Sequence, residues 1–339
     1  MATTIQNQIN LVQQDSHIYS ASFHRDWAVG PSVHGGILAA IIQLATKRHF
    51  TTTLSKYNQP DILSMHIDFL STCTHDPFTI TITDLKVGRG TSTIQLHLTQ
   101  PQRAPDQLKI AATATSINFE ALHGPSAPTD WQFQPQPKPL PDWRKLETNQ
   151  PDENWLSVVV DGEVMPFTRR MMQLNPRGGF PVAGVCDMWN SFGSERVDST
   201  HLTILTDLVP SMSDTLLRTG GIFDAHTIGS ATEAWAKDNP GAPFRLSNSL
   251  MQAQKAGIWN STLTLDIEFK MRLPSEGLEW AFSRVVTKEL KDGRMDVDVT
   301  ICNQSMQPIC VARHLVMVLD ARRTFDKQKQ RQKPVSSML

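Results

Sequence analysis

The chain holds many residues capable of chemistry, but few whose spacing commits them to it. Eleven histidines are scattered without metal-ligand spacing, and there is no H-E-x-x-H zinc helix, G-x-S-x-G nucleophile elbow or G-x-x-x-x-G-K-[ST] phosphate loop. Gly88-Arg-Gly90 resembles half of a dinucleotide loop, but it lies between two strand-like runs rather than before a helix, which makes it a hairpin turn. Cys73, Cys186, Cys302 and Cys310 stand too far apart for a zinc knuckle or a Cys-x-x-Cys pair and are too few for a disulfide scaffold. A reducing, cytoplasmic setting is therefore expected, and no residue pattern asks for a metal or cofactor. The spot that draws most notice is His34-Gly35-Gly36, which opens an apolar run. Backbone N–H groups at a helix start can hold negative charge, and glycine lets another group approach closely. The same pair could equally serve tight helix-to-sheet packing.

The elements that must carry these residues are legible from periodicity. Ile37 to Ala45 is apolar nearly all the way round, so this helix must be wrapped on most sides; Lys47, Arg48 and His49 near its end suit the negative pole of the macrodipole. In Leu63 to Leu70, the residues Leu63, Met65, Ile67 and Phe69 alternate with Ser64, His66 and Asp68, the pattern of a half-buried strand. The order then recurs about 200 residues later. Leu263, Leu265, Ile267 and Phe269 alternate in the same way, so that His66-Ile-Asp-Phe69 lines up with Asp266-Ile-Glu-Phe269. After each copy comes an antiparallel meander, Phe78–Val87, a turn at Gly88-Arg-Gly90 and Ile94–Leu98 in the first, Trp280–Thr287, a turn at Asp292-Gly293 and Met295–Ile301 in the second. Closing strands follow at Ile110–Phe119 and Ile309–Leu319. A buried helix gripped by a curled antiparallel sheet, twice over, is an α+β double hotdog.

A length of 339 residues sets a prior of about two domains. The expected division is 1–124 for the first hotdog, 125–150 for a linker, 151–321 for the second hotdog and 322–339 for a basic, polar tail. Pro125 to Pro141 is rich in Pro and Gln, which favours extended, weakly packed backbone. Lys+Arg 32 against Asp+Glu 33 leaves no basic surface for nucleic acid. The N-terminal MATTIQNQINLVQQ lacks the features of a secretory signal, and the longest apolar stretch is far short of the roughly 18 to 20 residues of a membrane span. The sequons at Asn260 and Asn303 are then chance, and the Ser-Met-Leu ending is a loose variant of a peroxisomal signal.

His34-Gly-Gly-Ile-Leu-Ala-Ala-Ile-Ile, preceded by Trp27 and Gly30, resembles the first-helix signature of the double-hotdog acyl-coenzyme A thioesterases, the TesB-like group and its fungal thioesterase-like relatives. Thr206-Asp207-Leu-Val-Pro210, Ser261 to Phe269 and Ile309 to Val318 are similar to that family's Asp-containing helix, central strand and last strand. Order and spacing, over roughly 20–120 and 155–320, make the resemblance more specific than each motif alone. It implies that an Asp, a Thr or Ser and a Gln position the water that attacks a thioester. Carried over by position, these fall on Asp207, Thr264 and His314, the last a departure from Gln. Gln is permanently neutral, whereas His can exchange a proton near pH 7. His34, Gly35 and Gly36 become the expected substrate-binding residues, their amides donors to the oxyanion. Each has a blander reading. Asp207 could cap a broken helix before Pro210, Thr264 could be a surface strand residue and His314 a satisfied structural one. His34 and His66 could line the second, usually degenerate cleft of such folds and be structural.

The resemblance therefore implies hydrolysis of an acyl thioester on coenzyme A or a carrier protein by an Asp-oriented water, without a covalent intermediate. An alternative on the same cleft is a dehydratase or cyclase acting on a polyketide-like chain with His314 and Asp207 as acid and base; a second is a non-catalytic acyl-binding protein. His314→Gln separates the three, since a hydrolase should keep or gain activity, a lyase lose it and a binding protein be indifferent. The long segment from Arg218 to Ala256 is expected to be a lid, or else a short helix near Ser230–Lys237 packed outside. Open sheet edges favour further self-association.

Overall fold

The structure is a computed structural model that describes residues 5–29, 32–101 and 107–320. Gly30 and the tail from Arg322, with its Ser-Met-Leu end, lie outside the described residues. The first half runs β1 (Ile9–Asp15), β2 (Ile18–Phe23), α1 (Gly35–Thr51), β3 (Asp61–Phe69), β4 (Phe78–Lys86), β5 (Ser92–Gln100) and β6 (Gln107–Ile117). The second runs β7 (Trp155–Val160), β8 (Met172–Pro176), β9 (Val185–Ser191), α2 (Ser199–Asp207), α3 (Met212–Leu217), α4 (Ala225–Asp238), β10 (Phe244–Leu246), β11 (Ile258–Phe269), β12 (Ala281–Val286), β13 (Arg294–Cys302) and β14 (Pro308–Asp320). All fourteen strands belong to one 15-stranded sheet, in the order β1-β2-β4-β5-β6-β3-β11-β14-β13-β12-β9-β8-β7-β10; the two-residue strand Leu290–Lys291 joins it against β13.

Read outward from the β3–β11 seam, the two sides have the same order, so the 200-residue recurrence is an internal two-fold. At the seam Asp266 lies opposite His66, the equivalent position of the other copy, and His66 Nδ1 is 2.6 Å from Asp266 Oδ1 on the exposed face. Arg272 closes the join, its Nε and Nη2 donating to Asp61 Oδ1 and Oδ2 at 2.9 and 2.7 Å. The even-spaced apolar residues of β3 to β6 and β11 to β14 bury against the central helices, except that Leu63 and Leu263, expected to lead the buried faces of β3 and β11, sit at bulges and stay half-buried and exposed respectively. Helix α1 is buried at every residue from Gly36 to Ala45 except Leu44. This is the double hotdog. Among the described residues, no helix is long and apolar enough to cross a membrane.

Two expectations change. The Pro-rich segment is mostly exposed but firmly held, because Phe133 is buried against Phe282 and beneath the Arg284 guanidinium, 4.5 Å from its ring centroid. Arg284 also donates to the Pro135 carbonyl at 2.6 Å and pairs doubly with Asp187. One aromatic anchor and a buried cation outweigh the loose packing that Pro and Gln imply. The segment from Arg218 to Ala256 is built into the sheet rather than laid over a cleft as a lid: β10 pairs in parallel with β7 and α4 packs beside it, with Glu233 accepting from the Gly178 amide. Edge backbone groups need partners, and this segment supplies them.

Candidate active site

The first central helix starts where the second ends. His34 caps α1, its Nδ1 accepting from the Gly36 amide at 3.1 Å, while the His34 carbonyl takes the Ile37 and Leu38 amides. The Gly35 amide is thus left pointing from the positive end of the helix without a protein acceptor among the described residues. Helix α2 is capped by Asp198, whose carboxylate accepts from Thr200 and His201, and it stops at Asp207 because Pro210 denies helical backbone to the residue before it.

Asp207 projects from that last turn onto Gly35. Its Oδ2 lies 3.6 Å from His34 Nε2 and its Oδ1 3.6 Å from His314 Nδ1. His314 comes from the inner face of β14, 3% exposed, and its Nε2 is 2.8 Å from the Thr206 carbonyl. A carbonyl only accepts, so Nε2 carries a proton, and in the neutral ring Nδ1 presents a lone pair towards Asp207. For His34 the assignment is reversed: Nδ1 accepts, so Nε2–H points at the carboxylate. Trp27 and Phe167, from opposite halves, stack at 4.7 Å beside His34. The site therefore combines one donor, one carboxylate and one imidazole acceptor in a largely buried cluster, next to an available amide.

Asp207, His314, His34, Gly35 and Gly36 are brought together, and Gly36 also lets the helices touch, since a Cβ there would stand 2.8 Å from the Ile204 carbonyl. The structure places His34 in this cluster. His66 is not near it, being on the outer sheet face. Thr264 is not brought in either. It pairs with Leu315, 44% exposed, and so points out of the sheet, whereas Leu265 beside it pairs with His314 and points in. A bulge between Thr262 and Thr264 breaks the alternation and puts Thr262 opposite the buried Val316, on the His314 face. The sequence pattern of Leu263, Leu265, Ile267 and Phe269 does not mark this bulge, which leaves Leu263 exposed and Thr262 on the face shared with His314. Asn260, two residues before it, ties β11 to α3 through Ser211 Oγ and Ser213 Oγ at 2.9 and 2.8 Å.

The internal two-fold generates a second such place. Asp207 is nine residues after the cap of α2 (207 − 198), and the residue nine after the cap of α1 (43 − 34) is Gln43, which donates to Ser199 Oγ at 3.1 Å as Asp207 abuts Gly35. His314 opposite Leu265 corresponds to Ala114 opposite Met65. With an amide for the acid and a methyl for the imidazole, the second place lacks counterparts of Asp207 and His314; its cap is Asp198, paired with His201.

Two consequences can be measured. A Cβ on Gly35 would come within 2.6 Å of Asp207 Oδ2, so Gly35→Ala must swing the carboxylate aside. Turnover is expected to fall about 100-fold with a near-normal melting temperature; unchanged kinetics would detach the site from Gly35. Burial pushes the His34 imidazole below the ordinary histidine range, partly offset by Asp207, and nearby His314 adds to the lowering. Below an unfolded pKa of about 6.5 the unfolded chain takes up a proton that folded His34 resists, so stability must drop as pH falls through that value. Denaturant titrations from pH 7 to pH 5 should show a shallower drop in His34→Gln than in the unaltered protein.

A double hotdog defines an architecture that hosts several chemistries rather than one reaction. The chain matches the acyl-CoA thioesterase N-terminal domain over residues 23–117 and the acyl-CoA thioesterase C-terminal domain over residues 134–318. It is 26% identical over 332 residues to the thioesterase-like protein TwmA of Talaromyces wortmannii, covering 93% of this chain and 92% of that protein. Among solved structures, a hot dog fold protein of Alicyclobacillus acidocaldarius superposes with a TM-score of 0.65 at 14% identity, covering 94% of this chain and 99% of that one. The acyl-CoA thioesterase II TesB2 of Mycobacterium marinum does so with a TM-score of 0.58 at 15% identity, covering 99% and 100%. These two share the fold. The chain belongs to the acyl-CoA thioesterase family and is an acyl-CoA thioesterase-like hydrolase whose substrate is an acyl thioester.

Proposed function

We propose that hydrolysis takes place at the His34–Asp207–His314 junction, on an acyl chain carried by coenzyme A or a carrier protein. The observation that carries this reading is the pair of acceptors, Asp207 Oδ1 and His314 Nδ1, standing 3.6 Å apart. One water can donate a proton to each, which aims its lone pair outward. The thioester carbonyl oxygen is received by the Gly35 amide at the start of α1, where the helix dipole supports developing negative charge. As the water oxygen bonds to the carbonyl carbon, its proton passes to Asp207. The tetrahedral intermediate then expels the thiolate by breaking the C–S bond, and the thiolate takes the proton back. His34 Nε2–H steadies the far oxygen of the carboxylate. Thr262, on the inner sheet face, replaces Thr264 as the hydroxyl available to the substrate.

Both halves of the junction come from one chain, so a second copy is not needed to complete it. All four cysteines are buried free thiols, and burial pushes those of Cys73, Cys186 and Cys302 up to about 12. They are unreactive as nucleophiles, which supports water rather than thiol attack and a reducing compartment. The replacement of the family's Gln by His314 also favours the dehydratase or cyclase reading, because Nδ1 could abstract a proton beside a carbonyl.

The test is release of free thiol from short, medium, long and aromatic acyl-coenzyme A, and from the same acyl groups on phosphopantetheinylated carrier protein. Turnover on either carrier supports the proposal and names the carrier. A folded protein that releases thiol from none of them overturns it in favour of the lyase reading.

A further inference from the structure

A second His–Asp–His cluster lies at the opposite end of α1. His49, fully buried near the C-terminal end of that helix, sets Nε2 2.9 Å from Asp84 Oδ1 on β4. His17, in the turn between β1 and β2, sets Nε2 3.3 Å from Asp84 Oδ2. One ligand atom from each of the three residues lies within 4.8 Å of the others. We propose that His17, His49 and Asp84 bind a divalent transition-metal ion, zinc(II) foremost.

The donor set selects the ion. Two imidazoles and a carboxylate suit zinc and its neighbours, whereas calcium and magnesium require mostly oxygen. Ligand atoms about 2.0–2.1 Å from a tetrahedral zinc stand about 3.3 Å apart; His17 Nε2 is at that spacing from Asp84 Oδ2, and His49 Nε2, at 2.9 Å from Oδ1, is about 0.4 Å inside it. The surrounding hydrogen bonds fit as well. A histidine bound through Nε2 must carry its proton on Nδ1 and needs an acceptor there. Tyr19 Oη is 3.3 Å from His49 Nδ1, and Ser16 Oγ is 2.9 Å from His17 Nδ1. A hydroxyl can donate or accept, so each turns from donor to acceptor when the ion takes the Nε2 lone pair. Both imidazoles are thus oriented by a second oxygen, and both Nε2 atoms converge on one carboxylate. His17 is partly exposed, which leaves a fourth position open to water. The ion would join the first hairpin, the end of the central helix and β4, and so staple the first hotdog independently of the acyl-thioester site.

The experiment uses tag-free, chelator-stripped full-length protein titrated with cobalt(II), followed by zinc(II) competition. Expected are about one equivalent per chain, the intense visible absorption of tetrahedral cobalt, its loss on adding zinc, and a zinc-dependent rise in melting temperature. His17→Ala, in a surface turn, and the shape-preserving Asp84→Asn should each weaken binding by about 100-fold or more, while His314→Gln should bind as the unaltered protein does. Absence of stoichiometric binding, or an affinity in His17→Ala and Asp84→Asn unchanged from that of the unaltered protein, overturns the proposal. So does loss of binding in His314→Gln, which would place the ion at the other cluster.

Discussion

Replacing Asp207 with Asn is expected to lower kcat by about 1,000-fold, the scale of a lost general base, while leaving the melting temperature within a few degrees. The amide has the shape of the carboxylate, and its oxygen still accepts from His34 Nε2–H, so packing between α2 and Gly35 survives. It no longer takes a proton from water. An NH2 in place of Oδ1 would face the His314 Nδ1 lone pair and donate to it, occupying the acceptor that the water requires. The measurement is thiol release under saturating substrate, with circular dichroism and thermal melting on the same preparation. A folded Asp207→Asn enzyme that works within tenfold of the unaltered one would remove Asp207 from the chemistry.

The His314 series carries the next largest effect and divides the readings of the site. His314 makes one buried hydrogen bond, to the Thr206 carbonyl at 2.8 Å, and offers Nδ1 to the water. Gln reproduces both functions, with its NH2 on Thr206 and its carbonyl oxygen accepting from water, so a hydrolase with Asp207 as base should retain activity within about tenfold. Ala reproduces neither. It strands a buried carbonyl, at a cost of about 1–3 kcal/mol, and releases the water, so activity should fall about 100-fold or more with a measurably lower melting temperature. If Gln is as damaging to turnover as Ala, His314 is itself the proton acceptor, and proton abstraction from the acyl chain becomes the better description.

Much of this architecture was legible in the chain because it rests on local patterning. The period-2 alternation around Met65 and Ile267, the turns at Gly88 and Asp292-Gly293, and the all-round apolar face of Ile37 to Ala45 each follow from which residues must be buried, and the 200-residue recurrence implies two copies of one unit. Less legible were β1 and β2 and the strands from Trp155 to Ser191, where polar or aromatic residues interrupt the alternation. Phe133 in a Pro-rich stretch is another such case: composition describes the backbone, while one side chain determines that the segment is held.

The residue types needed for the site were likewise readable, since a helix-opening Gly-Gly, an Asp before a Pro-broken turn and a titratable strand residue are local features. What the tertiary structure decided was which of them meet. Asp207 reaches His34 and Gly35 only because two central helices from opposite halves pack antiparallel, side by side, about 170 residues apart in sequence. A single bulge turns Thr264 outward and Thr262 inward, and register is a property of strand pairing rather than of one strand. His17, His49 and Asp84 have no ligand spacing along the chain and converge only because a hairpin, a helix end and a strand pack at one corner. The sequence by itself determined the elements and their repetition, because burial periodicity is local; the sheet and helix packing alone determined the constellations, because distances between side chains far apart in sequence are set by that packing.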